Sequence, residues 1–166
     1  MKARNYREVK GVPYTRKEFI HGVPQPKIVK FTMGDPSGSY GYRLSLISLE
    51  RAQIRHNSLE AARVAANRYL EEQVGDKSYY LRVPLYPHVV LRENKMIFGA
   101  HADRLSDGMR GAFGKPIGTA ARVEPNQAVI VIDVIETGLD VAKEALRRGA
   151  SKLPTRSRVV IEKIVD

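Results

Sequence analysis

The sequence contains no cysteine and no tryptophan, and only four histidines. Without cysteine there can be no disulfide and no thiolate metal site, which suits a cytoplasmic protein. The histidines, His21, His56, His88 and His101, fall at neither HxxxH nor HExxH spacing. No metal site or other cofactor is expected from them. No apolar run approaches the roughly 20 residues that a bilayer-spanning helix needs. The opening MKARNYREVK lacks the apolar stretch of a secretory signal, and Gly11 and Pro13 interrupt any amphipathic anchor. Acidic residues are few: 18 Asp and Glu face 28 Lys and Arg, for a net charge of +10. Such an excess favours a polyanionic partner, nucleic acid before an anionic membrane. No membrane partner and no homo-oligomer are expected. The 43% apolar content suffices for a core, and 166 residues fit one domain over 1–166.

The cations are unevenly placed. Residues 1–17 hold Lys2, Arg4, Arg7, Lys10, Arg16 and Lys17 against the single acid Glu8. Tyr6 and Tyr14 sit among them, and Pro13, Pro24 and Pro26 discourage regular structure. This stretch reads as a solvated tail or as an arm that orders on RNA, with Arg and Lys on phosphates and Tyr available to stack.

Beyond the arm, the core over 18–166 reads as α+β. Strands are expected at Lys27–Met33, Tyr42–Ile54, Ser78–Leu85, His88–Arg92, Gly118–Val123, Gln127–Glu136 and Arg158–Val165. The apolar residues of Tyr42–Ile54 fill both phases, which predicts burial on both faces. Val159 and Ile161 are expected to point inward on the last strand. The β-branched run Val129–Val134 predicts an interior strand. Asn57 with Glu60 predicts a capping box, opening a helix that stops at Gly75. Its stripe would hold Leu59, Ala62, Ala66, Tyr69, Leu70 and Val74. Thr137 with Asp140 predicts a second helix that ends at Gly149. Arg147 and Arg148 in its last turn suit either the helix dipole or an RNA contact.

The most informative stretch is GAHADRLSDGMRGAFGKPIGTAARV, Gly99–Val123. Its glycines let backbone lie close to a polyanion while Arg104, Arg110, Lys115 and Arg122 reach phosphates. Enzyme motifs fail here. A P-loop needs four residues between its glycines and a hydroxyl after the lysine. Gly108 and Gly114 are separated by five, and Pro116 follows Lys115. Gly34, Gly38 and Gly41 miss the dinucleotide spacing and precede a strand where a helix is required. Asp103 and Asp107 with His101 would form an acid–base set without supporting residues, and His101 is given no role. An RNA-modifying enzyme or assembly factor that uses the loop as a lid stays as the alternative reading, but no donor site is found for it. A general DNA-compacting protein is a weaker rival, because the charge is spread over several patches.

ADRLSDGMRGAFGKP followed by GTAARV resembles the signature of a large-subunit ribosomal protein family, L-sixteen/L-ten-e, in its archaeal form. Leu46–Leu70 and Val12–Ile28 resemble the same family, so the likeness covers essentially the whole chain. It implies a hammerhead-like fold, a bent mixed sheet with two packed helices, a basic N-terminal extension and a long flexible loop over 101–116. It implies large-subunit rRNA, aminoacyl-tRNA and neighbouring ribosomal proteins as partners. It also implies a place near the central protuberance, with the loop extending toward the peptidyl-transferase centre. Arg4, Arg7, Arg16, Lys17, Arg51 and Arg55 are the expected rRNA anchors. Arg104, Arg110, Lys115 and Arg122 are the expected contacts of the loop region. In the free protein, residues 1–17 and about 102–114 are expected to be mobile, since charge and glycine without apolar anchors do not offset ordering entropy.

Overall fold

The computed structural model describes residues 4–99 and 108–164. In chain order the elements are α1 (Arg4–Arg7), β1 (Thr32–Gly34), β2 (Tyr42–Ser48), β3 (Ala52–Arg55), α2 (His56–Val74), β4 (Tyr79–Arg82), β5 (Val89–Glu93), β6 (Lys115–Val123), β7 (Ala128–Val134), α3 (Leu139–Ala150) and β8 (Ser157–Lys163). The fold is mixed α+β, but its strands form two antiparallel sheets, not one bent sheet. The larger runs β1-β4-β7-β2-β8 and the smaller β3-β6-β5. As its β-branched run predicts, β7 is the central strand of the larger sheet, and Val129 to Val134 are all buried.

The predicted single strand over Tyr42–Ile54 is two strands, one in each sheet. The chain turns at Ser48–Arg51. There the buried Ser48 hydroxyl donates to the Glu50 carbonyl at 2.8 Å, and the Leu49 N–H donates to the Arg156 carbonyl at 2.9 Å. No glycine or proline marks this corner, so the sequence reads as continuous. The two-phase apolar pattern then resolves. On β2 only Leu44, Leu46 and Ser48 are buried, in strict alternation, while β3 buries Ala52, Gln53 and Ile54 together. Upstream, only the last part of Lys27–Met33 pairs as a strand. The Lys27 N–H donates to His56 Nδ1 at 3.2 Å and the Val29 N–H to Glu60 Oε2 at 3.4 Å, so side chains replace the ladder there.

Helix α2 buries Leu59, Ala62, Ala66 and Leu70, the spacing of one face of a helix. Its predicted capping box does not form. Arg55 is the N-cap residue and makes no side-chain cap bond, and Asn57 Oδ1 accepts the neighbouring Ser58 N–H. Glu60 turns instead to Arg63, with contacts of 2.5 and 2.9 Å, and these arginine bonds hold its carboxyl below the usual carboxylate range. The strand feeds directly into the helix, which leaves no room for a separate cap.

Helix α3 starts at Leu139, after a 3-10 turn over Glu136–Gly138 that absorbs Thr137. Gly149 does not end it. The residue is helical and sits where α3 crosses α2, with an added Cβ placed 3.3 Å from the Ala62 carbonyl oxygen and 3.6 Å from Ala66 Cβ. The alanines of α2 and this glycine let the helices approach closely, and both pack on the face of the larger sheet that carries Leu44, Ile130 and Ile132. On β8, Val159 packs against this core as expected, whereas Ile161 is 45% exposed because β8 is the outer strand. On the opposite face, the buried Asp133 of β7 accepts two bonds from Arg43 of β2, at 2.7 and 3.0 Å.

Candidate nucleic-acid interface

The smaller sheet carries the arm. Tyr6 on α1 donates its hydroxyl to the Arg92 carbonyl at 3.2 Å, and Gln53 Nε2 on β3 donates to the Tyr6 carbonyl at 3.2 Å. Further along, Arg122 on β6 donates to the carbonyls of Gly11 and Lys10, at 2.9 and 3.3 Å. The Val90 N–H on β5 donates to the Tyr14 carbonyl at 2.8 Å. Tyr6, Lys10, Gly11 and Tyr14 therefore tie the arm to the sheet, contacts that its charge and proline content do not foretell. The reason is physical. Its tyrosines and backbone carbonyls find partners on β3, β5 and β6, and charge counting does not register backbone acceptors.

Arg92 at the end of β5 joins three segments. Its guanidinium carbon lies 4.5 Å from the Tyr14 ring centroid and 3.4 Å from that of Phe113. Its Nη1 donates to the Phe113 carbonyl at 3.1 Å, and the Tyr14 and Phe113 rings meet edge to face at 5.7 Å. A planar cation between two rings is a favourable arrangement. The arm, the strand and the C-terminal stem of the glycine-rich loop thus meet on one side chain. Gly114 completes the stem. Its φ is +79°, and a Cβ there would come 2.6 Å from the Glu93 carbonyl carbon. Only glycine tolerates both. Sequence reasoning passes over Arg92 because a lone arginine at a strand end has no motif. Its one signal is position, between a strand and the long loop.

The predicted contact residues distribute over this layer. Arg4 and Arg16 are exposed on the arm, and Lys17 Nζ lies 5.9 Å from the Tyr86 ring centroid. Arg7 is tied to Glu50 at 2.5 Å and Arg51 to Glu124 at 3.0 Å. Arg55 is half-buried at the β3–α2 junction. Arg110 is exposed in the turns that precede Gly114, and Lys115 is exposed at the start of β6, across from Glu93. Arg122 has its guanidinium committed to the arm. Arg104 lies outside the described residues, as do His101, Asp103 and Asp107.

Near the junction, His56 is buried. Its Nδ1 accepts the Lys27 N–H and stands 3.2 Å from Thr119 Oγ1. Burial, followed by the charges of Lys27 and Arg55, lowers its pKa from the usual histidine value. The ring serves as an acceptor at the sheet–helix corner. Among the described residues no group of three or more His, Cys, Asp or Glu could hold a metal ion, and no helix is long and apolar enough to cross a membrane.

An α+β core whose smaller sheet carries a basic arm and the stem of a glycine-rich loop defines a protein that presents cationic surface. Comparison with known proteins agrees. The family described as Ribosomal protein L16p/L10e matches residues 9–160. Large ribosomal subunit protein uL16 of Hyperthermus butylicus is 62% identical over 156 residues, covering 94% of this chain and 87% of its own length. The protein of the same name from Staphylothermus marinus is 60% identical over 160 residues, 96% of this chain and 92% of its own. That of Methanococcus maripaludis is 48% identical over 161 residues, 97% of this chain and 93% of its own. The chain belongs to the ribosomal protein L16p/L10e family, in its archaeal form. Membership makes it a structural constituent of the large ribosomal subunit, not an enzyme.

Proposed function

We propose that the protein holds large-subunit rRNA near the central protuberance through its arm-and-sheet layer. It extends its glycine-rich loop toward the peptidyl-transferase centre, where the loop helps to position aminoacyl-tRNA. The observation that carries this reading is the junction at Arg92, which brings the loop stem at Phe113 against Tyr14 of the basic arm, with Arg4, Arg16, Lys17, Arg110 and Lys115 exposed on these two segments. The mechanism is binding: arginine and lysine side chains neutralise phosphates and release counterions. Arg4, Arg7, Arg16, Lys17, Arg51 and Arg55 serve the rRNA anchor, and Arg104, Arg110 and Lys115 serve the loop. Arg7 and Arg51 reach phosphate by exchanging exposed carboxylate partners, an exchange of low cost because surface pairs contribute only about 0–1 kcal/mol. Arg122 acts indirectly, by holding the arm in place. The protein works on the cytoplasmic ribosome, in contact with neighbouring ribosomal proteins.

The test is the double variant Arg110→Ala/Lys115→Ala in cells that lack the native copy. Sucrose gradients should show near-normal incorporation into the large subunit, while tRNA accommodation slows. Loss of incorporation with normal elongation by the residual ribosomes would reverse the assignment of the loop.

A further inference from the structure

We propose that the outer face of the α2–α3 pair is a second phosphate-backbone site, which adjoins the arm-and-sheet layer at Lys27 and turns away from it along α2, and which takes the sugar-phosphate strand of an RNA duplex. The inference rests on the proposed function in taking rRNA as the partner. It goes beyond that reading by giving the protein a second binding face, and with it the capacity to brace two RNA segments against each other.

A groove of about 490 Å³ runs along the outer side of α2. Its floor is Ala61, Val64 and Ala65, and its rim is Lys27, Arg68 and Lys152 together with Asn57 and Glu60. The groove continues into a second depression of about 440 Å³, where α2 meets the end of α3, and Arg148 joins Arg68 and Lys152 on its wall. The floor is shallow because small side chains repeat at helical spacing. A ribose can therefore approach the helix while its phosphates stay within reach of the rim.

The charges are arranged for an anion. Glu60 is taken by Arg63 and the Val29 N–H, Glu72 by Arg68, and Glu144 by Arg147 and Arg148. Every carboxylate around the groove thus has its own arginine. Lys27 and Lys152 use their backbone N–H groups internally, toward His56 and the Gly149 carbonyl, but neither ammonium has an ion-pair partner among the described residues. The charges of Lys27 and Lys152 stand on the rim of an apolar floor. Arg148 is half exposed, and its guanidinium carbon lies 3.9 Å from the Tyr69 ring centroid on the wall of the second depression. The Arg68–Glu72 pair is exposed, and such pairs exchange partners at little cost. A polyanionic strand satisfies all four cations. An acidic protein segment would serve the lysines but leave the open mouth of the groove uncovered.

The experiment compares three full-length proteins: the wild type, Lys27→Gln/Lys152→Gln, and the arm variant Arg4→Gln/Arg16→Gln. Binding to in-vitro transcribed large-subunit rRNA is followed from about 50 to about 200 mM salt, where each phosphate contact contributes about 0.9 to the log–log slope. Loss of two contacts lowers the slope by about 1.8, so the wild type should lose about tenfold more affinity over that range than the lysine variant. Slopes in the lysine and arm variants should fall independently, and Lys27→Arg/Lys152→Arg should restore the wild-type slope. A lysine variant with the wild-type slope, beside an arm variant whose slope falls, overturns this site and leaves the proposed function standing. Unchanged rRNA binding together with loss of the protein from assembled subunits overturns it in favour of a protein partner. A wild-type protein with no salt-dependent rRNA binding overturns both.

Discussion

Replacing Arg92 with alanine removes the β5 side chain that touches both the arm and the loop stem, and leaves the edge-to-face contact of Tyr14 with Phe113 as their direct link. Two ring contacts are lost, each contributing about 0.5–1 kcal/mol at a partly exposed site. One hydrogen bond to a carbonyl is lost with them, for about another 0.5–1.5 kcal/mol. The sum is about 2 kcal/mol, which raises the population of an opened stem roughly thirtyfold. Two amides report it directly. The Gly114 N–H bonds to the Gly111 carbonyl at 3.3 Å inside the stem, and the Val90 N–H bonds to the Tyr14 carbonyl at 2.8 Å across the arm. Hydrogen exchange of the free protein should show both amides accelerating together in Arg92→Ala, with Ile132 in the core strand unchanged. Arg92→Lys keeps the charge but loses the planar fork, and should recover only part of the protection. Acceleration of Gly114 with Val90 unaffected would refute the shared junction. No change in either would show that the stacking contributes nothing.

The buried His56 makes stability depend on pH. Its pKa is lowered in the fold, so the folded state disfavours the charged ring relative to the unfolded chain. That contribution is complete above the unfolded value of about 6.5 and is lost as pH falls through the folded value. Thermal midpoints should therefore decline below about pH 6.5, and His56→Gln should flatten that decline; equal slopes in both proteins count against the role of burial. At Gly149 the helices leave no space: Gly149→Leu should cost about 1–3 kcal/mol by overpacking, read as a lower urea midpoint. Gly149→Ala should stay near neutral, because about 1 kcal/mol of helix propensity offsets the 3.3 Å approach to the Ala62 carbonyl. A Gly149→Leu variant with the wild-type midpoint would mean that the crossing is loose.

Much of this architecture is legible from local pattern. The β-branched run of β7 and the stripe of Leu59, Ala62, Ala66 and Leu70 each need only a period and a composition, and both are found where expected. The failures share a cause. Ser48–Arg51 turns a corner through a buried hydroxyl and a contact with Arg156, and such a long-range partner leaves no trace in neighbouring residues. Asn57 and Glu60 have the spacing of a capping box, yet Arg63 and the Val29 N–H compete for the carboxylate and win. Gly149 looks like a terminator until the alanines of α2 give it a packing role. The candidate interface divides in the same way. Its cations are visible as a count, but which of them are committed is a tertiary fact: Arg122 reaches across to residues over a hundred positions away.

Beside the Tyr6 hydroxyl, the Arg7–Glu50 pair and the Tyr14 ring, the arm is held by its main chain. The carbonyls of Tyr6, Lys10, Gly11 and Tyr14 accept the bonds that dock it, from Gln53, Arg122 and Val90. Every residue offers the same carbonyl, so the outward side chains at Arg4, Lys10 and Arg16 are free to change without loosening the attachment. Selection can therefore retune the arm's outer surface to a drifting partner one residue at a time, while the sheet beneath keeps a fixed set of donors. The docking geometry and the binding surface are separately heritable, and divergence between relatives should gather in the arm's outward positions and spare Gln53 and Arg122.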